Sequence, residues 1–205
     1  MLPPNYVRKV PRPLRPDLPG ATHHVAALAV EKEVAFREPA DRRRLIAHLG
    51  AIVDLYQWKC RSFCLMGTHF HLILNTPEAT LSRGMQHLCG AYAQWFNWKY
   101  GRRGHLFGRR FGSVQIFNES HLLNAHRYVA LNPVRAGLSE RPESWRWGSY
   151  RALIGLEDPA PFLDVGGDMN LFSSEASAAQ SVFRDLVESD DADEDVFPLV
   201  RLGEF

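Results

Sequence analysis

Three groups of residues in this 205-residue chain have the types and spacing to do chemistry. The first is His69-Phe70-His71. On a strand, residues i and i+2 share a face, so the two imidazoles would stand side by side. Phe70, Leu72 and Leu74 would then point the other way, toward a core. Two neutral imidazoles at that spacing can hold one divalent cation. A strand with two merely polar-facing histidines shows the same pattern. The second group is His121, Asn124, Tyr128 and Asn132. At 100° per residue these fall within about 80° of one another, a polar stripe opposite Leu122 and Val129. A tyrosine there is either an amphipathic residue at a core edge or a nucleophile. Asn132 before Pro133 also suits a helix end. The third group is Lys99, Arg102, Arg103, His105, Arg109 and Arg110, interleaved with Trp95, Trp98, Tyr100, Phe107 and Phe111. No acidic residue occurs between Glu78 and Glu119. Basic groups contact phosphates and aromatic rings stack on unpaired bases; the alternative is core aromatics among solvated arginines. Arg42-Arg43-Arg44 reads as an exposed helix start. Cys60 and Cys64 share a face of a regular strand but lack CxxC spacing, and read as buried apolar residues rather than a zinc site.

The elements that must position these groups follow from periodicity. Residues 22–30 fit a strand. A helix is expected from near Pro39-Ala-Asp41 to about Tyr56, with apolar Leu45, Ile46, Leu49, Ile52, Val53 and Tyr56 at three- to four-residue spacing. Trp58–Met66 and His69–Asn75 read as two strands of a hairpin joined at Gly67-Thr68. A long helix follows from about Thr80 to Tyr100, then a strand over Phe111–Phe117. A third helix is expected from Asn118 to Leu131, stopped by Pro133. Trp145–Gly155 reads as a short last helix. The order β-α-β-β-α-β-α predicts an α+β fold. It is the ferredoxin-like split βαβ antiparallel sheet with helices on one face and an added C-terminal helix carrying the tyrosine.

Composition narrows the function classes. At 45% apolar and 23% charged residues, the chain can build an ordinary core. No apolar run approaches the roughly 18 residues of a membrane span, and Met1-Leu-Pro-Pro-Asn, without a charged start followed by an apolar stretch, is not expected to open a secretory signal. Three cysteines argue against a disulfide scaffold and fit a reducing, cytoplasmic setting. The near-neutral net charge of +1 hides an asymmetry: residues 1–155 carry +12 and residues 156–205 carry −11. Eighteen of the 22 basic residues before 156 are arginine, whose planar fork matches phosphate oxygens. The basic body points to a polyanion partner. Three regions are expected: a basic, Pro-rich arm over 1–20, a domain over 21–155, and an acidic, flexible extension over 156–205.

Ordered blocks across residues 11–155 resemble the single-tyrosine HUH transposases, the IS200-like group that includes the REP-associated tyrosine transposases. They are Leu18-Pro-Gly20, Cys64-Leu-Met66 leading into His69-Phe-His71, Leu81-Ser-Arg-Gly-Met85, Gly104-His-Leu-Phe107 with Arg110-Phe111, Arg127-Tyr-Val-Ala-Leu-Asn-Pro-Val-Arg-Ala-Gly137 and Trp147-Gly-Ser-Tyr-Arg151. The resemblance implies that His69, His71 and Asn132 are ligands of Mg²⁺ or Mn²⁺ and that Tyr128 is the nucleophile. It implies single-stranded DNA hairpins, from repeat or transposon-end sequences, as the partner. The strand would be cut and rejoined through a 5′-phosphotyrosine, with no membrane involved. Lys99, Arg102, Arg103, Arg109, Arg110, Arg127 and Arg135 form the expected DNA-binding set. The expected location is cytoplasmic and nucleoid-associated, as a monomer or a homodimer. Gly67-Thr68 stands where many relatives have Pro-Asn, and Gly112 where a basic residue is common. These departures touch target recognition rather than His69, His71 or Tyr128. The alternative is a domesticated, non-catalytic DNA-hairpin-binding protein.

Overall fold

The computed structural model describes residues 17–108 and 110–189. Four strands, β1 (Ala21–Leu28), β2 (Lys59–Leu65), β3 (His69–Thr76) and β4 (Gly112–Ile116), form one antiparallel sheet in the order β2-β3-β1-β4. The long helices are α1 (Pro39–Tyr56), α2 (Leu81–Tyr100) and α3 (Glu119–Arg135). This is the expected α+β, split βαβ arrangement. The basic arm lies outside the described residues up to position 16, as does the acidic run from Asp190 onward.

β3 is central and buried on both sides, so its alternation assigns each face a core. Phe70, Leu72 and Leu74 pack with Leu45 and Leu49 of α1 and Met85, Leu88 and Tyr92 of α2. On the other face, Ile73 and Cys64 pack with Leu122, Ala125 and Val129 of α3. The added helix therefore covers the face opposite α1 and α2. Cys60 and Cys64 do not share a face. The register shifts between Cys60 and Ser62, and this bulge sends Cys60 to the α1/α2 core and Cys64 to the α3 core.

Helix ends are tied by specific acceptors. Glu38 and Asp41 cap the start of α1 reciprocally, with Pro39 in the first turn. Asp17 accepts hydrogen bonds from Leu81 N and Ser82 N, both at 3.0 Å, at the start of α2. Asn118 Oδ1 accepts from His121 N at 2.8 Å and starts α3. Pro133 does not stop α3. The helix runs one turn further because Ala136 N donates to Asn132 O, Leu138 N donates to Pro133 O, and the proline ring is buried.

Residues 156–189 are not a flexible acidic tail. They contain the one-turn helix α5 (Gly166–Met169) and α6 (Ala176–Glu188), after the one-turn helix α4 (Tyr150–Leu153). Ala179, Phe183 and Val187 of α6 are buried in the main core. Asp168 of α5 is buried, pairs with Arg61, and accepts from His126 Nε2 at 2.8 Å. Three acidic positions here are thus structural or capping groups rather than solvated charge: Asp168, Asp164, which accepts from Gly167 N, and Glu188, which accepts from the Tyr150 hydroxyl.

Gly84 is needed for a close approach. A Cβ built there lies 2.3 Å from the Trp58 ring, whose Nε1 donates to Thr80 Oγ1 at 2.9 Å. Gly84→Ala must displace an indole fixed at its far end. We expect a loss of about 1–3 kcal/mol in urea unfolding. An unchanged midpoint would show that Trp58 is free to move.

Candidate active site

His69 and His71 open β3 on the face covered by α3. Their rings meet edge to face with centroids 5.1 Å apart. The antiparallel register sets Ala26 of β1 opposite His71 and His24 opposite Ile73. His24 therefore lies diagonally from His71 on the same face. The two rings stack at 5.2 Å, and His24 Nε2 lies 3.1 Å from His71 Nδ1. Tyr128 reaches this group from α3. Its ring packs edge-on against His71 at 5.4 Å and against His24 at 5.5 Å. Asn132, four residues on and therefore on the same helix face, lies close enough to His69 to favour that ring's protonated form. The guanidinium of Arg135 lies 5.6 Å from the Tyr128 ring centroid.

The electrostatics keep the imidazoles neutral. Burial lowers His69 to about 4, outweighing Asn132. Burial lowers His24 to about 3, with a smaller contribution from His121. Burial also holds His71 well below its ordinary value, assisted by His24 and His69. Neutral imidazole is the metal-binding form. Nε2 of His69 and Nε2 of His71 are both buried with no hydrogen-bond partner of normal geometry. Buried polar atoms are ordinarily satisfied, so two unpartnered nitrogens on adjacent side chains, beside an amide, fit a cation site. Among the described residues no three His, Cys, Asp or Glu side chains converge on one point. The donors gathered here are two imidazoles and the Asn132 amide. Such a donor set fits a divalent cation.

The family model for IS200-like transposases matches residues 19–132, more than half of the chain. The chain belongs to the IS200-like transposase family. Among solved structures, it is similar to a REP-associated tyrosine transposase bound to a REP hairpin, with 15% identity and a TM-score of 0.62. That match covers 78% of this chain and 93% of the other, and it shows a shared fold. A tRNA(His) guanylyltransferase from Saccharomyces cerevisiae also matches, at 13% identity over 78% of this chain and 79% of that one. Its TM-score of 0.36 carries no argument. No curated protein matches the chain. No helix among the described residues is long and apolar enough to cross a membrane.

In this IS200-like transposase the expected basic set divides. Gly108 N donates to Leu28 O, Val30 N donates to Leu106 O, and Phe107 bridges to Ala29. Leu28 pairs with His69, so the basic loop joins the sheet at the histidine end. Arg103 and Arg110 are exposed on it, and Arg109 lies outside the described residues. Lys99 is instead committed to Glu38 at 2.5 Å and to buried Asp41 at 2.6 Å. Asp41 stays below the usual carboxylate range: burial opposes its charge, but bonds from Lys99, the backbone and Tyr100 outweigh that. Arg102 pairs with Glu33 and donates to Asn97 Oδ1 and His105 O. Arg127 departs furthest from expectation. It is buried, and its guanidinium donates to Leu186 O and Ser189 O at the end of α6. Its carbonyl partners supply the acceptors that a phosphate would have offered. His24 is a site residue that the motifs did not single out. Its alternation with Ala26 was readable, but the β1–β3 register that brings it to His71 was not.

A buried neutral histidine has a lower pKa in the folded chain than in the unfolded one. Protons therefore bind the unfolded state first, and stability is complete above about pH 6.5 and lost as pH falls. His24 and His126, each near 3, and His69, near 4, all act in this direction. Urea unfolding of the protein in chelator should lose up to about 1.4 kcal/mol per pH unit for each such histidine below pH 6.5. A flat profile between pH 7 and 5 would contradict their neutral burial.

Proposed function

We propose that this protein is a metal-dependent DNA strand-transfer enzyme that binds single-stranded DNA hairpins and cuts through Tyr128. The observation that carries the reading is the placement of Tyr128 and Asn132, one helical turn apart, over His71 and His69. Family membership and the fold shared with a transposase bound to a REP hairpin support the partner.

A phosphodiester resists attack because its oxygens repel a nucleophile. A divalent ion held by His69, His71 and Asn132 would polarise the scissile phosphate and absorb developing charge. Tyr128 Oη would attack phosphorus and form the P–O bond of a 5′-phosphotyrosine. The P–O3′ bond breaks, the 3′ oxygen leaves as a hydroxyl after taking up a proton, and the phenol proton is lost to solvent. A second 3′-OH can later reverse the step and rejoin strands, so the bond energy is conserved in the covalent link. Arg135, whose guanidinium lies 5.6 Å from the Tyr128 ring centroid, would contribute a positive charge toward the phosphate. Arg103, Arg109 and Arg110 would hold the backbone of the entering strand. Lys99, Arg102 and Arg127, engaged within the protein, contribute less.

Mixed with labelled hairpin oligonucleotides and Mg²⁺ or Mn²⁺, the protein should give a shifted band on a denaturing gel. Chelation or Tyr128→Phe should abolish that band while leaving native-gel hairpin binding within about threefold. Hairpin binding without any covalent band would favour the domesticated binder. The segment 190–205 carries a net charge of −5. Its removal leaves α6 in place and should tighten nonspecific DNA binding at low salt. Unchanged affinity would reject an autoinhibitory tail.

A further inference from the structure

We propose that His24 is a positioning residue that sets the tautomer of His71, so that His71 Nε2 presents a lone pair to the cation. This rests on the reading of His69 and His71 as metal ligands.

One hydrogen lies in the 3.1 Å contact between His24 Nε2 and His71 Nδ1. If His24 donates, neutral His71 carries its proton on Nε2, and that nitrogen cannot ligate. If His71 donates from Nδ1, its Nε2 is a free base. Only the second arrangement makes the unpartnered Nε2 of His71 match that of His69, whose Nδ1 lies 3.1 Å from Thr68 Oγ1. Both histidines then follow one scheme: Nδ1–H is given to a neighbour and Nε2 is turned to the site. A neighbour that accepts the distal N–H fixes ring orientation and raises ligand basicity. In this arrangement His24 carries its own proton on Nδ1, which is buried and makes no hydrogen bond. Leaving a buried donor unsatisfied is costly, so a histidine here is a poor choice for stability alone. The groups facing His24 are His71 from β3 and Tyr128 and His121 from α3. The same side chain thus touches both the ligand and the expected nucleophile.

The tautomer is measured directly by long-range ¹H–¹⁵N correlation on full-length, histidine-labelled protein without metal. His71 should show a protonated Nδ1 and an unprotonated Nε2. Mn²⁺ affinity is then read from the EPR signal of free Mn²⁺ for wild type, His24→Leu and His24→Gln. His24→Leu removes the acceptor at similar volume and should weaken Mn²⁺ binding on the order of 10- to 100-fold. His24→Gln restores an acceptor near the Nε2 position and should recover most of that loss. A His71 protonated on Nε2 overturns the inference, even if His24→Leu fails to fold. Equal Mn²⁺ affinity in wild type and His24→Leu overturns it while leaving the metal reading intact. No Mn²⁺ binding by wild type overturns the metal reading, and the inference with it.

Discussion

The two-sided burial of β3 is the constraint on which the site depends. Phe70, Leu72 and Leu74 are each fully buried against α1 and α2. Their burial leaves His69, His71 and Ile73 no choice of face. A one-residue slip would exchange the two sets, placing imidazoles in an apolar core and leucines at the site. The cost of such a slip is several buried apolar side chains, each worth about 1.5–3 kcal/mol. The hydrophobic core therefore fixes the histidines indirectly and firmly. The second cluster, where Ile73 meets Leu122, Ala125 and Val129, then fixes the angle at which α3 lies and the depth at which Tyr128 arrives.

The C-terminal segment extends the same logic. α6 lies against α3, and α5 supplies Asp168 beneath it. Asp168 ties Arg61 of β2 to His126 of α3, and Arg127 ties α3 to the end of α6. His126 and Arg127 immediately precede Tyr128. The helix that carries the tyrosine is thus anchored on its outer side by polar contacts and on its inner side by the sheet. The sheet lies within the segment matched by the family model, whereas Asp168 and the Leu186 and Ser189 carbonyls of the outer anchor lie beyond it.

Much of this was legible in the sequence because it depends on short periods. The face shared by His69 and His71, the turn separating Tyr128 from Asn132, and the order of strands and helices all follow from spacings of two and 3.6. What escaped depends on long-range pairing. The β1–β3 register that brings His24 to His71 spans 47 residues. The bulge after Cys60 breaks a parity argument that assumes a regular strand. The roles of Arg127 and Lys99 depended on which acceptors would lie near them, and a charge count treats a capping guanidinium and a solvated one alike. The same count concealed α6, whose apolar positions Ala179, Phe183 and Val187 recur every four residues within a segment of net negative charge. Isolated propensity makes Pro133 a stop, whereas burial of the ring and later carbonyl acceptors carry the helix past it.

The central claim is that Tyr128, brought to two neutral histidines by α3, forms the covalent bond to DNA. Its most direct test is peptide mass mapping after reaction with a hairpin substrate and nuclease trimming. A single modified peptide is expected, with a nucleotide 5′-phosphate on the Tyr128 oxygen and a free 3′-OH on the released strand. A nucleotide on any other residue, or cleaved strands with no protein attached, would contradict it.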